Sequence, residues 1–144
     1  LKITKPYLAI LILAVLGIGV AGYLTWYEMV VPVGVCPINV AYISCSAALT
    51  SQYSRIDGIS VASLGLAWFL GAFLLGILAA ENRTYLNLLL AWSLIAIAGV
   101  VALFLIEVLF LDEICPLCSS AHVLGVGISA IAIKLWMKNR KSKT

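Results

Sequence analysis

Cys115 and Cys118 stand three positions apart in "DEICPLCSSAH", residues 112–122, where an acidic turn gives way to a long apolar run. A C-x-x-C pair points to redox chemistry or metal binding before it points to a simple staple. Pro116 follows Cys115 as it does at a first helical position, so Cys115 is expected at a helix N-cap and Cys118 within the first turn. Unpaired N–H groups and the positive end of the helix dipole at that point favour a negatively charged sulfur. Such a sulfur is both the nucleophile and the leaving group that thiol–disulfide exchange requires. Asp112 and Glu113 act in the opposite sense, because they disfavour further negative charge nearby. The remaining cysteines, Cys36 and Cys45, lie far upstream at C-x8-C spacing.

Three other kinds of residue could join this chemistry. His122, the single histidine, falls one helical turn beyond Cys118 on the same face. It is placed for hydrogen bonding to a bound carbonyl or for proton transfer, although a lone histidine at a membrane surface is commonly just an interfacial side chain. Glu107 is an ionisable group near the outer end of the third apolar run, which makes it a functional candidate; an interfacial carboxylate is an equal reading. Trp26, Trp68, Phe69, Phe73 and Trp92 serve as lipid-belt or packing aromatics, or line a pocket for a ring.

The elements that must hold these groups follow from composition. Of the 144 residues, 64% are hydrophobic and 10% are charged, and mean hydropathy is +1.15, which excludes an ordinary soluble domain. Four uncharged intervals of about 20 residues or slightly more match the thickness of a bilayer core, and no strand-like alternation competes with them. The expected fold class is therefore an all-α integral membrane protein, a four-transmembrane-helix bundle forming one domain over 1–144. Its spans are expected at about 6–27, 59–80, 84–106 and 115–134, with a cysteine-bearing outward loop over 28–58. Within that loop, "CSAALTSQYSRIDG" reads as a short amphipathic helix: Ser46 is the N-cap, Ala47, Ala48, Leu49 and Tyr53 form its apolar face, and Gly58 ends it. Lying across the bundle mouth, that helix would bring the Cys45 segment over the start of the fourth span.

Lys and Arg fix the expected orientation. Lys2 and Lys5 precede the first span, Arg83 lies between the second and third, and Lys134, Lys138, Arg140, Lys141 and Lys143 follow the fourth, so both termini are expected in the cytoplasm. All four cysteines then face the extracytoplasmic side of the cell membrane, where disulfides form and persist. The first apolar run is longer than the core of a secretory signal and lacks an A-x-A-like site, so it is expected to be retained as a helix. The basic tail "KLWMKNRKSKT" sits beside a span, which makes topology its explanation and leaves nucleic acid without a role.

Other uses of four cysteines remain open from the residues alone. As staples, Cys36 with Cys45 and Cys115 with Cys118 would close small loops, and a C-x-x-C ring gains little entropy that way. A four-thiolate zinc site usually shows two short knuckles, whereas one pair here is C-x8-C, so no metal is expected. A non-enzymatic, claudin-like four-helix adhesion protein has two cysteines about ten positions apart in a large first loop. The stretch "VPVGVC" lacks the Gly-Leu-Trp run of that family, and the reading leaves the C-x-x-C pair without a task.

Most of the chain resembles the vitamin K epoxide reductase family, particularly its short prokaryotic members. The resemblance is carried by "AGYLTWYE" at the end of the first span, by "CPINVAYISCSAALTSQYSRIDGISVASLG" through the loop into the second, and by "CPLC" opening the fourth. In the other family of four-helix disulfide-forming quinone reductases the C-x-x-C belongs to the first outer loop, not the second. The resemblance implies a membrane thiol:quinone oxidoreductase. It makes Cys118 the thiol that meets the quinone, Cys115 its disulfide partner, Cys45 the thiol that attacks Cys115, and Cys36 the one that exchanges with a separate thioredoxin-like protein. The substrate would be a ubiquinone, menaquinone or vitamin K type quinone from the bilayer, and the outcome disulfide formation in extracytoplasmic proteins. Ser51 falls where the family carries a serine supporting the loop. Vertebrate members place a quinone-binding asparagine near position 61, where this chain has Val61, and a tyrosine where it has His122. Quinone reduction is thus the expectation over epoxide reduction, with His122, Ser51, Val61, Trp68 and Phe69 as the quinone-side residues.

Overall fold

A backbone inside hydrocarbon must satisfy its polar groups within its own segment, and the uncharged intervals answer with helices. The computed structural model describes residues 4–30, 39–40, 43–44, 51–111 and 114–142. Helix α1 spans Lys5–Val30, α2 Val61–Glu81, α3 Thr84–Ile106 and α4 Pro116–Lys141. All four are long and apolar enough to cross a membrane, the third together with the π-helical turn Glu107–Leu111 that continues it. The expected spans are therefore present, each a little longer: Glu28 is still helical at the end of α1, and α4 runs past Lys134 to Lys141.

Packing in lipid gains little from burying apolar surface, since the tails are as apolar as leucine; close approach through small residues decides the contacts. Gly17 of α1 lies directly under the ring of Phe69 of α2, where a Cβ would collide with the phenyl carbons. Gly71 of α2 admits the indole of Trp92 of α3, which a Cβ would approach to 2.7 Å. Trp68 and Trp92 then donate reciprocally, each Nε1 to the other's carbonyl oxygen at 3.1 Å, which ties α2 to α3 at mid-height. Between α3 and α4 the buried Ser129 hydroxyl lies 2.8 Å from the Gly125 carbonyl oxygen and 3.3 Å from that of Ser93. Ile10, Ala14, Phe69, Ala72, Leu89, Ile128 and Ala132 fill the centre.

The outward loop departs from expectation in one respect. Residues 45–50, with Cys45, Ser46, Ala47, Ala48 and Leu49, lie outside the described residues, as does Cys36. From Ser51 on, the chain makes a turn and then an antiparallel hairpin, β3 (Arg55–Ile56) with β4 (Ile59–Ser60), so the expected helical run to Gly58 is corrected. Asp57 at φ 53° and Gly58 at φ 83° form its two-residue corner. Asp-Gly between alternating residues favours this left-handed turn, whose twist matches the strands, over a helix end. A second hairpin, β1 (Asn39–Val40) with β2 (Ile43–Ser44), lies in sequence between the two loop cysteines. Strands β1 to β4 are thus two residues each, beside a helical bundle.

Candidate active site

The C-x-x-C motif is held by the first turn of α4. Cys115 is the N-cap, with extended backbone at φ −87° and ψ 111°, and Pro116 occupies the first turn. The Cys115 Sγ accepts the Cys118 N–H at 3.3 Å, and the Ser119 N–H reaches the Cys115 carbonyl oxygen at 2.9 Å. A sulfur thus takes the capping place that serine or aspartate commonly fills, because it is an acceptor aimed at an otherwise unpaired amide. Cys115 is fully buried, whereas Cys118 is half-buried one turn inward. This confirms the N-cap expectation from Pro116.

Below Cys118 the same face of α4 carries His122, Gly125 and Ser129, at helical spacing. His122 is half-buried, and its Nδ1 has no hydrogen-bond partner among the described residues. The Trp68 ring lies near Gly125, 3.9 Å from where a Cβ would stand, one turn deeper than His122. Its N–H already serves the Trp92 carbonyl oxygen, so Trp68 offers a flat apolar face and no donor. Phe69 meets Trp68 edge-on at 5.1 Å but is 3% exposed and turned into the core over Gly17. Trp26 faces outward, 54% exposed.

Val61 opens α2, and its N–H goes to the Ser54 carbonyl oxygen at 2.9 Å. Ser51 supports the turn before the hairpin through its carbonyl oxygen, which accepts the Ser54 N–H at 3.0 Å and the Ser54 hydroxyl at 2.8 Å. Tyr53 stacks against Phe110 of the π-helical turn with centroids 5.6 Å apart. The turn from Ser51 to the hairpin is thereby held at the π-helical turn that continues α3.

Two residues that the sequence reading did not single out complete this end. Glu28, on the last turn of α1, accepts from the Arg55 Nε at 3.2 Å and from the Ser60 hydroxyl. Its side chain is only 8% exposed. Ser60 is also the N-cap of α2, its hydroxyl oxygen receiving the Ala62 N–H at 3.2 Å. Serine directly before an apolar run signals that cap in the sequence. The reach of Glu28 across 32 positions to Ser60 has no local signal.

Glu107 is 6% exposed, and its Oε2 has no hydrogen-bond partner among the described residues. Those residues bring no three His, Cys, Asp or Glu side chains together as a metal site requires. A cleft of about 350 Å³ does exist, but at the opposite end of the bundle, lined by Arg83, Thr84, Asn87, Trp136, Asn139 and Arg140. It lies at the far end of α4 from Cys115 and Cys118. Among curated proteins none matches this chain. The vitamin K epoxide reductase family model, in contrast, matches residues 8–133, which takes in all four helices and both cysteine pairs.

Proposed function

The chain belongs to the vitamin K epoxide reductase family, a multi-pass membrane oxidoreductase family, and on that premise we propose that it is a thiol:quinone oxidoreductase driving disulfide formation. One membrane domain covers 1–144, with both termini in the cytoplasm and the cysteines on the extracytoplasmic side, as the Lys and Arg distribution supports. Cys36 takes electrons from a separate thioredoxin-like protein and passes them to Cys45, which attacks Cys115 in the Cys115–Cys118 disulfide. Cys118 is then released as the thiol that meets the quinone. Each transfer is an in-line exchange directed by relative reduction potentials. The hairpin β1–β2 supports the loop roles, since it turns the chain back between the two loop cysteines.

The observation that carries the proposal is the capping geometry of the motif. Cys115 Sγ is held by the Cys118 N–H at the start of α4, next to a face on which His122 Nδ1 has no partner among the described residues. A half-buried ring nitrogen without a partner suits the carbonyl oxygen of a quinone, which supplies an acceptor for an N–H or takes up a proton as it is reduced. Beneath it, Trp68 presents an aromatic face for the ring to lie against. Phe69 shapes that pocket from behind, through Trp68, and Val61 and Ser51 hold the loop's return into α2. With a histidine and Val61 at these places, the site favours a quinone over its epoxide.

Quinone reduction by purified, pre-reduced protein in detergent tests this reading. Wild type should turn over with either a small dithiol or a thioredoxin-like dithiol as donor. Cys118→Ala should be inactive with both, and Cys45→Ala inactive with the protein donor alone. If all three behave alike, the cysteines are structural and the claudin-like adhesion reading replaces this one. His122→Ala should lose quinone reduction while keeping thiol exchange with the donor; unchanged quinone reduction would remove His122 from the site.

A further inference from the structure

The reaction just proposed moves two protons as well as two electrons, and the half-buried His122 accounts for one of them. The second belongs to Cys115, which is fully buried at the N-cap and shut off from water. A buried thiol that must lose its proton needs a nearby acceptor, because the charged sulfur and the free proton are both costly in an apolar setting.

Helix geometry places one candidate at the right height. Ser129 and Ser93 mark where α4 and α3 touch. From that contact Glu107 is fourteen residues along α3, and Cys115 is fourteen residues back along the antiparallel α4. Equal numbers of residues give an equal rise of about 21 Å, and fourteen residues are close to four whole turns, so both return to the facing sides of their helices. Burial agrees: Glu107 is 6% exposed, while Val108, Leu109 and Phe110 beyond it are 42%, 68% and 67% exposed. The π-helical turn begins at Glu107 itself, and such turns commonly mark functional positions because the extra residue re-aims side chains. Its Oε2 is buried with no hydrogen-bond partner among the described residues, an expensive state that native folds retain mainly where a ligand or a proton completes it. Among the described residues, the other ionisable groups at this end are Cys118 and His122 on α4, Tyr23, Tyr27 and Glu28 towards the end of α1, and Tyr53, Arg55 and Asp57 between α1 and α2; Asp112 and Glu113, between Glu107 and Cys115 in sequence, lie outside the described residues. Glu28 and Arg55 are occupied with each other.

We propose that Glu107 is the proton carrier for Cys115, in a reaction sequence that rests on the thiol:quinone reading. As the motif is oxidised, the S–H bond of Cys115 breaks, the bond between Cys115 Sγ and Cys118 Sγ forms, and two electrons leave the pair for the quinone. The Cys118 proton passes through His122 to one oxygen of the ring, and the Cys115 proton passes through Glu107 to the other. The dithiol thus loses two protons and two electrons, and the quinone gains the same. Two carriers on two helices keep the two protons from competing for one site.

The test is single-turnover oxidation of pre-reduced wild type, Glu107→Gln and Glu107→Asp, across pH. One series uses quinone; the other uses a small disulfide as oxidant, with no quinone present. Glu107→Gln keeps the size and hydrogen-bonding shape of the side chain but cannot take the proton. It should slow closure of the Cys115–Cys118 bond by about a hundredfold with both oxidants, the scale of positioned acid–base catalysis, and remove one ionisation from the pH–rate profile. Glu107→Asp should recover most of the rate and restore that ionisation. Glu107→Gln matching wild type, or slowing without any change of profile, or no better rescue by Glu107→Asp, would overturn the proposal. If wild type closes the bond with the small disulfide but never reduces quinone, the fault lies with the parent function and not with Glu107.

Discussion

The two ends of the bundle differ in what they leave open. At the end bearing the chain termini, the Arg83 guanidinium donates to the Asn139 side-chain oxygen at 2.6 Å, the Trp136 indole to Asn87 at 3.0 Å, and Arg140 lies 5.4 Å from the Trp136 ring centre. At the end bearing the C-x-x-C motif, Glu107 Oε2 and His122 Nδ1 are buried with no partner among the described residues. The first end is exposed and its groups could have relied on solvent, yet they pair; at the second, Glu28 pairs with Arg55 and Ser60, while Glu107 and His122, enclosed between helices, stand ready. Polar groups that close on each other hold a fold, whereas those left open in an enclosed place are held for something that arrives.

That contrast can be broken by measuring stability at both ends. The largest effect is expected from Glu107→Leu, which removes an unpartnered buried acid and should raise stability by about 1–3 kcal/mol, the cost ordinarily carried by such a group. A midpoint of thermal unfolding in detergent that falls would show that Glu107 is satisfied after all. A mid-bundle loss should be smaller and of opposite sign: Trp92→Phe removes one of the reciprocal indole bonds, costing about 0.6–1.7 kcal/mol, while the Trp68 carbonyl oxygen keeps its acceptor place within α2. The same unfolding assay, compared with Trp68→Phe, should give similar losses for the two. The smallest effect belongs to the terminus-bearing end. Asn87→Ala frees an indole N–H that water can reach, so stability should stay within about 0.5 kcal/mol and quinone turnover should not change. A large drop there would erase the distinction between the two ends.

Much of this arrangement was legible in the residues. Charges punctuate the chain so cleanly that all four helices fall where expected, and Cys-Pro announced the cap on α4. The facing sides of the helices were not legible, for a physical reason. In a soluble helix the apolar stripe marks the core, but here every side is apolar and the contact is marked by glycine and serine: Gly17 under Phe69, Gly71 under Trp92, Ser129 against Ser93. Trp68 and Phe69 are neighbours in sequence and read alike as pocket residues; the structure turns the second into the core and ties the first to Trp92. The segment ending at Gly58 carried two compatible signals, a helix stop and an Asp-Gly hairpin corner. Pairing of Ile56 with Ile59 across the turn decided for the hairpin.

The bond from Glu28 to Arg55 and Ser60 has a kinetic consequence. It fastens together two points 27 residues apart, so the chain between them leaves and re-enters the bundle at one place, whatever path it takes. Cys45 is ten positions from the Arg55 anchor, a tether of at most about 35 Å. Confinement on that scale corresponds to an effective concentration in the millimolar range, which free thiols outside the membrane would have to match to compete. On the proposed relay, the Glu28 side chain helps decide which thiol reaches Cys115 first, and loosening it is expected to admit electrons from donors that the loop otherwise outruns.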